Sequence, residues 1–263
     1  MKKNNVQTVI LCGGMGTRMR EETEYRPKPM VEIGGRPILW HIMKSYAAHG
    51  FTDFIVCLGY KGEIIKDYFL NYEAMNNDFT VELGKRESIT IHDGHEENGW
   101  RVTLIDTGLQ TMTGGRVKRA SRYITSNPFM LTYGDGVSDV DLSRLLDHHA
   151  QADTIATVTG VHPSSRFGEL LVSGGRVQQF SEKPQTHDGL INGGFFVCDR
   201  RMLDYLSDDA GCILEREPLE RLAAEGQLSV YQHSGFWQCM DTYRDYQQLN
   251  QLWDAGGAEW KKW

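Results

Sequence analysis

Cysteine is scarce and scattered. Cys12, Cys57, Cys198, Cys212 and Cys239 stand singly, odd in number and with no C-x-x-C pair, which argues against both a disulfide frame and a zinc site. No apolar run approaches the roughly 20 residues that a membrane crossing needs, and Met1-Lys2-Lys3-Asn4-Asn5 lacks the apolar stretch of a secretory signal. Basic residues are outnumbered, 28 Lys and Arg against 35 Asp and Glu, for a net charge of -7. The field of the whole molecule therefore repels nucleic acid and anionic membranes. These absences describe a cytoplasmic protein with reduced, packing cysteines, in which anionic substrates must be caught by local cations.

Two phosphate loops are missing as well. The apolar strand Val9-Ile10-Leu11 runs into Cys12-Gly13-Gly14-Met15-Gly16-Thr17-Arg18. After Gly14 and Gly16 the third glycine of a dinucleotide fingerprint is replaced by Met19, and an acid at the usual distance on the next strand is missing, which disfavours hydride transfer. A Walker loop would end in G-K-[ST], whereas Gly16 is followed by Thr17-Arg18. What remains is a glycine-rich backbone able to curl its N–H groups around phosphate oxygens, with Arg18 beside it. Lys28 follows ten residues later, locked between Pro27 and Pro29. Two cations brought to one anionic cradle suggest a nucleoside triphosphate, where a plain glycine turn would explain neither.

Strand-length apolar runs alternate with helical patterns along the 263 residues, which predicts a single α/β domain over 1–263. Its sheet is expected to be Rossmann-like, mixed and mostly parallel, with helices on both faces. Helical spacing is read over Ile38 to Ala47, 62–72, 117–123, 141–152 and 242–253, and strands over 54–58, 102–105, 129–133, 155–161, 175–180 and 195–197. Residues 73–100 are polar with short alternating stretches and read as an inserted β-ribbon, an expected oligomer contact. His92 and His95 within it are explained by a solvated tip at lower cost than by a metal site. Residues 255–263 are read as a tail. Ligands of open α/β sheets bind beyond the carboxyl ends of strands. The glycine loop and Gly134-Asp135-Gly136 both fall there.

Five segments then stand in order: Gly13 to Arg18, Lys28-Pro29, Gly134-Asp135-Gly136, Glu182-Lys183-Pro184 and Met240-Asp241-Thr242. Together with Thr111-Met112-Thr113-Gly114-Gly115-Arg116, Arg166-Phe167-Gly168 and Ile191-Asn192-Gly193-Gly194 they resemble the sugar-1-phosphate nucleotidyltransferases over nearly the whole chain. The resemblance implies the nucleotidyltransferase fold and a magnesium-assisted, in-line attack of a sugar phosphate on the α-phosphorus of a nucleoside triphosphate. It runs closest to the branch that takes CTP and α-D-glucose 1-phosphate. It further implies that Leu11, Gly13, Gly14, Gly16 and Thr17 line the nucleotide, with Arg18 and Lys28 at its phosphates and Thr113, Gly114 and Arg116 at the base. Lys183 would hold the sugar phosphate, with Gly168, Glu182, Asn192 and Gly193 around the hexose, and Asp135 and Asp241 would hold Mg2+. Arg18, Lys28, Asp135 and Lys183 are the catalytic candidates. A homo-oligomer, in the family's pattern a hexamer, is expected, with no nucleic acid or membrane partner. Another nucleoside triphosphate or a modified sugar phosphate stays open, as does a non-catalytic homologue that only binds a nucleotide sugar. All of Arg18, Lys28, Asp135, Lys183 and Asp241 are present, and an idle homologue would be expected to have lost one.

Overall fold

The computed structural model describes residues 5–84, 88–92, 94–162, 169–173, 176–181 and 189–263. Seven strands form the main sheet: β1 (Gln7–Cys12), β2 (Asp53–Leu58), β3 (Arg101–Asp106), β4 (Phe129–Tyr133), β5 (Ala156–Val161), β6 (Ile191–Cys198) and β7 (Leu228–His233), in the order β7-β5-β6-β4-β1-β2-β3. Every pairing is parallel except those of β6, which runs against both β5 and β4. The alternation of side chains along a strand is visible in the two cores. Ile10 and Cys12 of β1, with Phe54, Val56 and Leu58 of β2, pack into one, while Val9, Leu11, Ile55 and Cys57 pack into the other. Both faces are therefore covered. Six helices of eight or more residues complete the described chain: α1 (Ile38–Ala48), α2 (Gly62–Leu70), α3 (Thr113–Ala120), α4 (Leu142–Ala152), α5 (Glu217–Ala224) and α6 (Tyr243–Asp254). None of the described helices is long and apolar enough to cross a membrane.

Several expectations need correction. Helix α3 begins at Thr113, not at Val117, so Gly114 and Gly115 are helical. Glycine is a poor helix former, but a β-carbon on Gly114 would lie 2.7 Å from Cys212 Sγ, and one on Gly115 would lie 2.6 Å from the Asp209 carbonyl oxygen. Close packing on the 209–214 loop overrides propensity here. Among the described residues, the strand at Arg176–Ser181 pairs only with Glu169–Ser173, as a separate hairpin outside the main sheet. Strand β7 and helix α5 were not anticipated. The strand at 195–197 is the eight-residue β6, which carries Asn192, Gly193 and Gly194 inside the sheet. The helix read over 62–72 stops at Leu70, and a short helix follows at Tyr72–Asn76.

The 73–100 insertion does hold a ribbon, Phe79–Val81 paired with Ile89–Ile91. His92 and His95 take separate partners, Thr80 Oγ1 at 2.7 Å and Glu73 Oε1 at 2.9 Å. The tail is a packed element. Trp260 is fully buried, stacked on Phe236. Trp260 donates to His41 Nδ1 at 3.4 Å, and Trp263 makes an edge contact with Trp40. Burial pushes the His41 imidazole down to about 4, and its Nε2 lies 2.8 Å from the Ile33 carbonyl oxygen, so this ring is a neutral strut.

Candidate active site

The glycine loop leaves β1 and passes into a 3-10 turn at Thr17–Met19. Gly16 sits at φ +62°, where L side chains are strained, and a β-carbon there would lie 2.7 Å from Thr23 Cγ2. Beneath the loop lies Arg116. It is 4% exposed, and its guanidinium donates to the carbonyl oxygens of Leu58 (2.9 Å), Gly108 (2.8 Å), Gly13 (2.9 Å) and Leu109 (3.3 Å) and to Thr107 Oγ1 (2.8 Å). A β-carbon on Gly13 would fall 2.1 Å from Arg116 Nη1. This glycine is thus required by an arginine packed against it. Arg116 borders the cavity, but its Nη1 and Nη2 are already engaged by the protein. The other basic residues of α3 are tied down too, Lys118 to the Leu203 carbonyl and Arg119 to Thr107, Thr111 and Asp208.

Lys28 opens a 3-10 turn framed by Pro27 and Pro29. The hairpin that follows, Glu32–Ile33 with Arg36–Pro37, turns on Gly34 and Gly35 at φ +57° and +77°. A β-carbon on Gly34 would collide with Trp253 of α6. Helix α6 therefore anchors the Lys28 segment at one end, and at the other it begins next to Asp241. Thr242, not Asp241, is the N-cap, in a reciprocal capping box with Asp245. This leaves the Asp241 carboxylate free to face Lys28 and Arg18.

Asp135 and Asp241 are brought together by a ladder too short to read from periodicity, Gly136–Ser138 paired antiparallel with Trp237–Cys239. The Met240 amide donates to the Asp135 carbonyl at 2.8 Å. Lys28 Nζ lies between the carboxylates, 2.6 Å from Asp135 Oδ2 and 2.6 Å from Asp241 Oδ1, while Arg18 Nη1 lies 2.7 Å from Asp241 Oδ2. Burial alone would lower the Lys28 ammonium, but the Asp135 charge and the hydrogen bonds to Asp135 and Asp241 carry it up to about 12. Burial alone would raise the Asp241 carboxyl, and the Lys28 and Arg18 charges instead hold it below its ordinary value. The Lys28 ammonium and the Asp241 carboxylate are therefore both charged at neutral pH.

Two cavities meet at this cluster. One, of about 310 Å³, is lined by Leu11, Gly13, Gly14, Gly16, Thr17, Thr113 and Arg116 among others, and the second, of about 290 Å³, by Asn192, Gly193, Gly194 and Trp237. Arg18, Tyr133, Asp135 and Asp241 border both. Gly114 is packed on Cys212 and does not line the first. The Gly193 carbonyl accepts from Trp237 Nε1 at 2.7 Å, and a β-carbon on Gly193 would lie 2.7 Å from Val161 Cγ1, so packing against β5 already accounts for this glycine. Gly168, Glu182 and Lys183 lie outside the described residues. Missed by sequence reasoning were Tyr133, shared by both cavities, and Trp237, which lines the second. An aromatic immediately before Gly134-Asp135 was the available signal.

The donor set at the junction suits a hard cation. Asp135, Asp241 and Cys239 offer ligand atoms within 4.8 Å of one another. Burial pushes the Cys239 thiol well up, so it remains a neutral thiol and leaves two carboxylates. Magnesium is commonly held by one or two carboxylates plus phosphates and waters, and the Lys28 ammonium between the two carboxylates marks where positive charge is favoured.

Residues 7–255 match the family model described as nucleotidyl transferase. The glucose-1-phosphate cytidylyltransferases of Salmonella typhi and Salmonella typhimurium are each 48% identical over 259 residues, covering 98% of this chain and 100% of the relative. The crystal structure of HddC from Yersinia pseudotuberculosis superposes with a TM-score of 0.69 at 23% identity, covering 94% of this chain and 99% of the other, a likeness of fold. On the family model and the full-length identity together, the chain belongs to the nucleotidyl transferase family.

Proposed function

We propose that the chain transfers the cytidylyl group of CTP to α-D-glucose 1-phosphate, giving CDP-glucose and pyrophosphate. The carrying observation is the 48% identity across nearly the whole chain to relatives named for that activity. The two cavities joined at Arg18, Tyr133, Asp135 and Asp241, with Lys28 between the two carboxylates, support it. A phosphate oxygen of the sugar substrate attacks the α-phosphorus in line while pyrophosphate leaves, a displacement that needs positioning and charge neutralisation in place of a protein nucleophile. The loop of Gly13, Gly14, Gly16 and Thr17 cradles the triphosphate in the first cavity. Arg18, whose side chain is 72% exposed, swings from Asp241 to the β- and γ-phosphates, and Lys28 stays charged beside the reacting phosphate.

Thr113, beside Arg116, faces the base. Asn192 lies in the second cavity, where it would meet the hexose. Lys183, with Glu182 and Gly168, serves the sugar phosphate in this reading. Asp135 and Asp241 would hold Mg2+, which would supply positive charge to offset that of the phosphates. Pyrophosphate release measured across CTP, UTP, dTTP and ATP with glucose 1-phosphate tests the reading, and CTP is expected to give the highest kcat/KM. A higher value with UTP or dTTP would reassign the nucleotide.

The reading extends to a homo-oligomer, a hexamer in the family's pattern. Leu70, Met75, Phe79, Val81, Leu83 and Ile89 all expose large apolar side chains on or beside the insertion, Leu83 to 92%. So many large exposed apolar side chains within one segment suit an interaction site. Light scattering at assay concentration should report a mass above that of one chain, and a monomer would contradict it.

A further inference from the structure

The two cavities are joined by a hydrogen-bonded chain that includes one residue lining neither. Glu215 Oε2 accepts from Thr113 Oγ1 at 2.7 Å, and Glu215 Oε1 accepts from the Tyr133 hydroxyl. Thr113 Oγ1 in turn accepts from the Leu214 amide at 2.9 Å. On the other side, Asn192 Nδ2 donates to the Tyr133 oxygen at 3.2 Å while Asn192 Oδ1 accepts from the Gly194 amide at 2.8 Å. Thr113 borders the first cavity, Asn192 the second and Tyr133 both. A β-carbon on Gly194, at φ +81°, would lie 2.5 Å from Tyr133 Cδ2, so the Tyr133 ring is seated against the strand that carries Asn192.

We infer that Glu215 is a positioning residue that fixes the direction of every hydrogen bond along this chain, and with it the orientation of Thr113 in the nucleotide half and of Asn192 in the sugar half. An ionised carboxylate only accepts. Both hydroxyls that touch Glu215 must therefore give it their protons, which leaves the Tyr133 oxygen able only to accept. The amide of Asn192 is then pinned twice, nitrogen toward Tyr133 and oxygen toward the Gly194 N–H. One N–H and one lone pair are left to read a hydroxyl of the substrate. A glutamine at 215 would present an NH2 to one of the two hydroxyls, and the one facing it would have to turn its proton away. Turned toward Asn192, that proton meets another donor and the amide loses its seat.

The inference rests on the assignment of the two cavities to CTP and glucose 1-phosphate, and its test separates from that assignment. Wild-type turnover with each nucleotide tests the assignment alone. The inference is read from ratios of variant to wild type, with whichever substrate pair the wild type uses best. Glu215→Gln should raise KM on the order of tenfold for the substrate on the side of the hydroxyl that faces the new NH2, the sugar phosphate if Tyr133 and the nucleotide if Thr113, the scale of a lost hydrogen bond to a charged group, with the thermal midpoint little changed. Tyr133→Phe should raise KM for the sugar phosphate alone, and Thr113→Val for the nucleotide alone.

The double variant Tyr133→Phe, Glu215→Gln should show a sugar-phosphate KM no higher than Tyr133→Phe by itself, since both changes cut the same chain. If the two effects multiply, Glu215 does not act through Tyr133. Unchanged KM values with only a lowered thermal midpoint in Glu215→Gln would make the residue structural. Should that variant fail to fold, the split between Tyr133→Phe and Thr113→Val decides alone, and its absence overturns the inference.

Discussion

Lys28→Ala is expected to lower kcat a hundredfold to a thousandfold, the range typical of removing one preorganised electrostatic contact from a transition state in which charge develops. The ammonium is held between two carboxylates at 2.6 Å each on a proline-framed turn, so almost no reorganisation is needed to bring it to a phosphate. It is also a cation at every accessible pH, since its pKa is carried up to about 12. Lys28→Arg should not restore the rate, because a planar fork cannot occupy the point between two carboxylates that a compact ammonium fills. The substitution has a second signature. With the ammonium gone, Asp135 and Asp241 face each other across a few ångströms, and apo protein should bind Mg2+ more tightly in isothermal titration even as turnover falls. Near-normal kcat would remove Lys28 from the chemistry. Slow turnover together with weakened metal binding would instead indicate a collapsed site.

What the sequence made legible divides by the range of the interaction. The glycine loop, Lys28 and Asp135 each carry a local mark, whether φ freedom, flanking prolines or a glycine-bounded acid at a strand end, and the parallel sheet places them at one edge. The bond that joins Asp135 to Asp241 has no such mark. It depends on two three-residue strands, and three residues cannot display a period of two. Arg116 shows the same limit from the other side. Its position within a basic helix reads as a solvated or ligand-facing cation, and only the fold shows main-chain carbonyls from two loops and the end of β2 gathered around it.

The Glu215–Tyr133–Asn192 chain combines residues from three separate elements, and no spacing rule reaches that far. The tail was equally opaque. Three tryptophans, Trp253, Trp260 and Trp263, surround the buried His41, and through Trp253 they steady the hairpin behind Lys28. A sequence of aromatics near a chain end announces burial without saying against what.

Asp135→Asn and Asp241→Asn keep volume and shape while each removes one of the negative charges that would hold Mg2+ between protein and phosphates. Each is expected to lower kcat at limiting magnesium on the order of a hundredfold or more, again the scale of one preorganised electrostatic contact, and to move the magnesium concentration for half-activity upward. The two should not behave alike. Asp241 also holds Arg18 at 2.7 Å and shares Lys28 with Asp135, so Asp241→Asn releases Arg18 toward the triphosphate while Lys28 stays with Asp135, and the KM for CTP should change little or fall while kcat drops. Asp135 holds only Lys28 among the described side chains, and its loss leaves that ammonium to Asp241, so Asp135→Asn should depress kcat without easing nucleotide binding. Neither variant should unfold, because the short ladder that joins the two loops is made of main-chain bonds, including the Met240 amide to the Asp135 carbonyl, which an amide side chain leaves intact. A thermal midpoint near that of the wild type, together with the kcat and magnesium curves, checks this. Wild-type activity at limiting magnesium in either variant would take that carboxylate out of the metal site, and identical profiles for the two would show that Asp241 does not hold Arg18 in reserve for the phosphates.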